Sequence, residues 1–244
     1  MRTKIRYEDD ALLVIDKPAG LATQSARVTQ ADVVSELTNY LHGGYVGLVH
    51  RLDQPVEGLL VVAKTKQAAG RLSEQLGSGK LSKSYLAVVH PESQNGLPSP
   101  VQVHENGAPV TLVDYMKKDS RSQLTEIVTV KDAAHPPAGL QKAVLSYRLL
   151  ESVADLALVS VTLQTGRFHQ IRAQMAHAGM SLLGDQKYAS RETKRLSGEL
   201  AVKYVALCAD RISFVHPVTG KEMHFEKKPD GAIFQSFKGL QSKN

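Results

Sequence analysis

Tryptophan is absent from the sequence, and there is a single cysteine, Cys208. One thiol cannot close an internal disulfide, so a stapled extracellular scaffold and a cysteine-based metal site are both excluded, and a reducing cytoplasmic setting fits. The apolar neighbours Val205, Ala206 and Leu207 mark Cys208 as a small buried hydrophobe. No uninterrupted apolar run approaches the roughly 18 residues a membrane helix needs. The basic start, Met1 to Arg6, runs into Glu8-Asp9-Asp10 in place of the apolar stretch of a signal peptide. Internal repeats, low-complexity linkers and shifts of composition are missing too, so the chain reads as one domain spanning residues 1–244.

Several catalytic patterns are likewise missing. No His-Glu-x-x-His is found, and His169 and His177 lie eight residues apart with no third ligand near them, which argues against a metal centre. No Gly-x-Ser-x-Gly elbow is present. Gly77-Ser78-Gly79-Lys80 lacks the rest of a phosphate loop, because Glu74 stands where a glycine belongs and Leu81 where a serine or threonine belongs.

What is present is a basic chain, with 30 Lys+Arg against 24 Asp+Glu and a formal charge of +6. A polyanion is the partner class this favours. Apolar content of 42% is ample for a core. Ala11 to Lys17 reads as a buried strand stopped by Pro18-Ala19-Gly20, and Thr29 as the cap of a helix reaching about Leu41. Tyr45 to Val49 and Leu59 to Lys64 read as strands, and Thr65 caps a second amphipathic helix ended by Gly77. Ser82 to His90 is a further strand. The segments Val110–Tyr115, Leu124–Val130, Ala143–Leu150 and Leu156–Leu163 alternate between turns as an antiparallel meander does. A helix follows through Arg172 to His177, then a basic helical segment through Arg195, and terminal strands over Val202–Ala209 and Ile212–Val215. The fold class is α+β, a mixed sheet with flanking helices.

The chain is organised around His50-Arg51-Leu52-Asp53, a short polar loop between the apolar Gly47-Leu48-Val49 and the strand that starts at Leu59. A carboxylate held between two strands is fixed by the scaffold and still open to substrate. An aspartate that must stay ionised while substrate excludes water needs a fixed cation, and Arg172, on the edge of the buried stripe of its helix, is a candidate.

His50-Arg51-Leu52-Asp53 followed by Gly58-Leu59-Leu60-Val61 resembles the signature of the pseudouridine synthases, in particular the ribosomal large subunit pseudouridine synthase A group. Gly166-Arg167-Phe168-His169-Gln170-Ile171-Arg172 is similar to a second segment of that family, and Lys17-Pro18-Ala19-Gly20 and His216-Pro217-Val218-Thr219-Gly220 extend the match. The resemblance implies the pseudouridine synthase fold with a central RNA-binding cleft. It implies isomerisation of uridine within a structured ribosomal or transfer RNA, without cofactor or metal, the target base being flipped out. Asp53 then matches the essential aspartate, acting as nucleophile at the sugar or as base toward its 2′ hydrogen. Tyr85, on pattern alone a core tyrosine, matches the active-site tyrosine, and Arg172 the arginine paired with the aspartate. Arg51 matches the residue that helps hold the flipped nucleotide, and Arg167, His169, Gln170 and Lys17 are expected at the substrate. His50 is left as scaffold.

Clustering adds Lys80, Lys83, Lys187, Arg191, Lys194 and Arg195 as RNA-backbone candidates, while Lys117 to Arg121 reads most simply as a solvated hairpin tip. A core strand beginning near Ala11 leads to the expectation of no separate N-terminal RNA-binding domain; a monomer is expected as well. Four departures stand out: Glu57 replaces a serine of the family signature and puts a negative charge near an RNA-facing loop, Pro55 enters that loop, Phe168 replaces serine or threonine, and Cys208 stands where histidine is common. The competing reading is an RNA-binding module of the same fold without activity.

Overall fold

A computed structural model describes residues 1–25, 30–92, 108–119, 121–130 and 136–240. The elements begin with β1 (Lys4–Glu8), β2 (Leu12–Lys17), α1 (Val33–Tyr40), β3 (Gly47–Leu48), β4 (Glu57–Ala63), α2 (Lys66–Gly77) and β5 (Ser82–Pro91). They continue with β6 (Val110–Asp119), β7 (Leu124–Val128), β8 (Gln141–Val153), β9 (Leu156–Leu163), α3 (Gln170–His177) and β10 (Met180–Leu182). α4 (Arg191–Glu199), β11 (Leu207–Val215), β12 (Glu222–Glu226) and two short 3-10 turns complete the set. These residues gather into two compact units, Met1–Tyr85 with Cys208–Asp230 and Leu86–Leu207 with Gly231–Asn244.

In the first unit the strands run in the order β1-β2-β4-β11, with β3 added to β4 and β12 to β11. β2 lies antiparallel to β4 from Leu12 opposite Ala63 to Lys17 opposite Gly58, whereas β11 meets the start of β4 in parallel, Cys208 opposite Glu57. Every residue of β2 and β4 is buried. That is why both read as continuous apolar runs and not as alternating patterns. Leu12, Val14, Leu59 and Val61 form one core with Ala68 and Leu72 of α2, each large side chain worth about 1.5–3 kcal/mol of burial. Thr65 starts α2 by accepting the N–H of Ala68 at 3.1 Å, as its sequence suggests.

In the second unit the order is β5-β9-β8-β6-β7, with β10 antiparallel to β5. β8 shows the period of two expected of a half-covered strand, Ala143, Leu145 and Tyr147 facing inward. α3 differs, since all residues from Gln170 to Met175 are buried, three of them polar.

Three sequence expectations change. Thr29 lies outside the described residues, and α1 begins at Val33 with Asp32 as its cap, Asp32 and Ser35 each satisfying the other's N–H. The strand expected over residues 45–49 pairs only at Gly47 and Leu48. The two strands expected over residues 202–215 are one, β11, because Asp210 accepts the Ser84 hydroxyl at 2.9 Å and Arg211 sits opposite Glu226 of β12, so neither charge breaks the strand.

Candidate active site

Asp53 sits on the loop between β3 and β4, and the residues on both sides of it are tied down. The Leu52 carbonyl accepts the Thr23 hydroxyl at 2.7 Å and its N–H donates back to Thr23 Oγ1 at 3.2 Å. Gln54 is held by the Gly20 N–H on its carbonyl at 2.8 Å, and its side-chain amide donates to the Gly20 carbonyl at 3.2 Å. Within the loop, Val56 N–H closes a turn on the Asp53 carbonyl at 3.0 Å. Asp53 is partly exposed and Arg51 is exposed, so a clamped backbone leaves both open to solvent.

Lys17 holds this arrangement from inside. Its side chain is 0% exposed, and Nζ donates to the carbonyls of Leu21 (2.6 Å), Pro18 (3.1 Å) and Gln54 (3.3 Å). Expected at the substrate, Lys17 is instead an internal tether, because the strand that carries it is covered on both faces. Burial pulls its ammonium down to about 7, against the opposing pull of the Asp53 and Glu57 charges. Tyr85 on β5 is also buried, and burial first, then the Asp53 charge, pushes its phenol above the usual range. Lys17, Tyr85 and Asp53 thus share one electrostatic environment within the first unit. A phenol kept protonated beside a carboxylate is a hydrogen-bond donor and an apolar face at once.

His50 has the geometry of scaffold. Its Nε2 accepts the Val61 N–H at 3.2 Å, while Nδ1 has no partner among the described residues. Burial, and then the charge of Lys83, hold the ring well below the usual histidine range, which keeps it neutral.

Glu57 does not face an RNA-binding loop as solvent-exposed charge. It was expected to add negative charge near an RNA-facing loop, yet it is buried, and its Oε2 accepts from Lys227 Nζ at 3.0 Å and from the Asp230 N–H at 2.9 Å. Lys227, itself fully buried, also donates to Asp16 (2.8 Å) and Asp230 (2.9 Å). Burial works against this ammonium, but the surrounding carboxylates outweigh it and raise its pKa.

In the second unit, Gly166-Arg167-Phe168 forms a turn ahead of α3, and His169 enters the helix in the left-handed region at φ 54°. Gln170 braces the turn: Oε1 accepts from Thr165 Oγ1 and from the Arg167 N–H, both at 2.9 Å, and Nε2 donates to Gln174 at 2.9 Å. Arg172 is clamped by Asp185, Nε to Oδ2 at 2.7 Å and Nη2 to Oδ1 at 2.8 Å, with both side chains buried. Burial alone would raise the Asp185 pKa, but Arg172 and the N–H groups of Lys187 and Tyr188 hold it below the usual carboxylate range. Tyr188 covers the guanidinium at 5.2 Å and bonds His169 Nδ1 at 2.8 Å. This is a guanidinium with a fixed plane and a fixed charge.

The remaining candidates sort by exposure. Arg167 is exposed, its Nε donating to the Lys142 carbonyl at 3.0 Å. Lys80, Lys187, Arg191 and Arg195 are exposed, Lys194 is half-buried, and Arg195 pairs with Glu199 along α4. Lys83 is turned inward, burial lowering its ammonium to about 8. Sequence reasoning passed over Thr23, Lys227 and the role of Asp185. Of these only Asp185 carried a signal, as the acid that ends the Leu182-Leu183-Gly184-Asp185 landmark.

Residues 11–177 match the family model described as RNA pseudouridylate synthase. The chain is 30% identical over 256 residues to the ribosomal large subunit pseudouridine synthase D of Zymomonas mobilis, covering 99% of this chain and 74% of that one. It is 33% identical over 241 residues to the uncharacterized RNA pseudouridine synthase YlyB of Bacillus subtilis, covering 93% and 69%. Among solved structures, human RNA pseudouridylate synthase domain containing 4 superposes with a TM-score of 0.70 over 98% of this chain and 93% of that one, at 22% identity, and so shares its fold. A matched family model over most of the chain and a relative at this identity assign it: the chain belongs to the RNA pseudouridylate synthase family and isomerises uridine in RNA.

Proposed function

We propose that the substrate is ribosomal RNA of the large subunit, that Asp53 is the catalytic group, and that Tyr85 and Arg172 are catalytic residues as well. The observation that carries this reading is the clamped loop: Leu52 and Gln54 are both hydrogen-bonded to the Gly20–Thr23 segment, so Asp53 between them is aimed by its neighbours. The large-subunit target comes from the names of the relatives, several of which are ribosomal large subunit pseudouridine synthases. Arg51 holds the extruded nucleotide, and the exposed Arg167 belongs to the same substrate-contacting set. Action as a monomer in the cytoplasm is part of the proposal. No helix among the described residues is long and apolar enough to cross a membrane.

In this reading the N1–C1′ bond breaks with Asp53 acting at the sugar, either as nucleophile at C1′ or as base at the 2′ hydrogen. The uracil turns, C5 bonds C1′, and the C5 proton leaves as N1 takes one up, so no atom is gained or lost. Tyr85 packs against the base and stays protonated. Arg172 is the guanidinium that the family resemblance assigns to the reaction, its plane and charge fixed by the Asp185 clamp.

Asp53→Asn is expected to lower pseudouridine formation by at least about 10⁴-fold, the loss of an essential catalytic group, while RNA affinity and melting temperature stay at the parent values. Nucleoside analysis of a transcript incubated with each protein is the check, and turnover by Asp53→Asn at the parent rate would defeat the assignment. A parent protein that binds RNA without forming product would favour the inactive-module reading. Mapping pseudouridine in total RNA from cells with and without the protein then identifies the uridine.

A further inference from the structure

The β6–β7 hairpin is the element the reaction does not use. It is bonded to the Gly166–Tyr188 region at several points: Thr125 Oγ1 to the Phe168 carbonyl (2.7 Å), the Thr125 N–H to Tyr188 Oη (2.7 Å), and Lys187 Nζ to the Gln123 carbonyl (3.0 Å). Arg167 Nε, on the same turn, reaches the Lys142 carbonyl of β8, the strand paired with β6. The second unit therefore displays the exposed Lys118, Arg167 and Lys187 around this turn, with Arg121 at the hairpin tip, while the exposed Lys117 and Lys142 stand on the opposite face of the strands.

The acids there do little to offset these charges. Asp119 is turned onto its own loop, accepting the N–H groups of Arg121 (2.9 Å) and Ser122 (3.3 Å) and the Ser122 hydroxyl. Glu126 stands opposite Lys117 across the strand pair and offsets that lysine on the face away from Phe168. At the centre is Phe168, the aromatic residue in a segment where the resembled family has serine or threonine. Lys118 Nζ lies 4.4 Å from the centre of its ring, and the His169 ring stacks against it at 3.8 Å.

We propose that this surface docks the sugar–phosphate backbone of the RNA that flanks the target uridine, with Phe168 pinning the Lys118 ammonium in place for a phosphate. The proposal rests on the RNA reading above. A lysine on a free surface must be ordered when it meets a phosphate, but one already seated on a ring face has given up that freedom before binding. Lys118 rides on a paired strand and Lys187 is bonded to the hairpin carbonyl of Gln123, so their spacing is set by the fold. Backbone contact also needs no base sequence, which lets it serve an enzyme whose base chemistry is handled elsewhere.

The test uses the full chain with Asp53→Asn, which separates binding from turnover, and a fluorescein-labelled, unmodified RNA stem-loop as probe. Replacing Lys118, Arg121 and Lys187 together by glutamine is expected to weaken binding by roughly tenfold or more near 0.1 M salt and to lower the slope of log Kd against log salt by about two to three, since each phosphate contact contributes about 0.7–0.9. Phe168→Ser alone is expected to weaken binding by roughly two- to fivefold, the size of an exposed cation–π contact. Lys118→Gln should then matter less in the Phe168→Ser background than in the parent. Melting curves confirm that each variant is folded. An unchanged slope in a folded triple variant overturns the proposal and turns attention to an acidic protein as the occupant. If the slope falls while the parent forms no pseudouridine, the docking surface stands and the isomerase reading fails. If product forms but the slope is unchanged, the reverse holds.

Discussion

Lys17 is the residue in which burial, charge and loop geometry meet. An ammonium with no solvent contact persists only because three carbonyls accept its N–H groups and the Asp53 and Glu57 charges lie near. Its folded pKa of about 7 lies below the ordinary lysine value, so between pH 7 and about 10.5 the unfolded chain holds more protons than the folded one. Stability from this group therefore rises with pH across that window, by up to about 1.4 kcal/mol per pH unit, and is flat below pH 7, where both states are protonated. A titration of the Lys17 side chain by carbon-detected NMR should show a midpoint near neutrality. Urea unfolding at pH 7, 8 and 9 should show the matching slope in the parent and not in Lys17→Met. A midpoint in the ordinary lysine range would mean that Lys17 tethers the loop without any strain on its charge.

At the scale of the element, the start of β4 is set by a glycine. Gly58 has φ +134°, and a Cβ there would lie 2.5 Å from both the N and O of Ala209, where β11 runs beside it. Both the backbone conformation and the space demand glycine. Gly58→Ala is expected to destabilise the protein by at least about 3 kcal/mol, the range of severe backbone and overpacking lesions. Gly70→Ala offers the contrast, because Gly70 lies inside α2 with nothing within 4 Å of the new methyl, and it should stabilise by about 0.5–1 kcal/mol. Paired thermal melts decide the matter. The same contrast explains what could be read in advance. The cap and apolar face of α2 and the run of β4 are local patterns, and they appear where the sequence places them. The demand on Gly58 comes from Ala209, the partner of Glu57 is Lys227, and the acid that clamps Arg172 is Asp185. Pairings of that kind are made by the fold and leave no period in the sequence. The loop that carries Asp53 was legible as a motif, but the role of Lys17 was not, since a lysine beside Pro18 gives no sign of which way it points.

At the scale of the molecule, the buried Lys227 network ties together three distant parts of the chain. Lys227 and Asp230 follow the last strand, Glu57 opens β4, and Asp16 lies near the end of β2, where Arg6 of β1 bonds its second oxygen at 3.1 Å. The departure of Glu57 from the family's serine is thus accommodated by an ammonium far away in sequence, and the two residues should be judged together. Removing Lys227 leaves Asp16 and Glu57 buried near one another without their shared cation, so Lys227→Met is expected to cost about 3–5 kcal/mol. Glu57→Ser leaves Lys227 with Asp16 and Asp230 and should cost less, about 1–3 kcal/mol, the penalty for losing the carboxylate's hydrogen bonds from Lys227 and the Asp230 N–H. In the double variant the missing carboxylate no longer needs a cation, so its loss should fall short of the sum of the two single losses by at least about 1 kcal/mol. Chemical denaturation of the four proteins closes this cycle. Strict additivity would show that Lys227 is held by Asp16 and Asp230 alone, and that the carboxylate at position 57 contributes nothing through it.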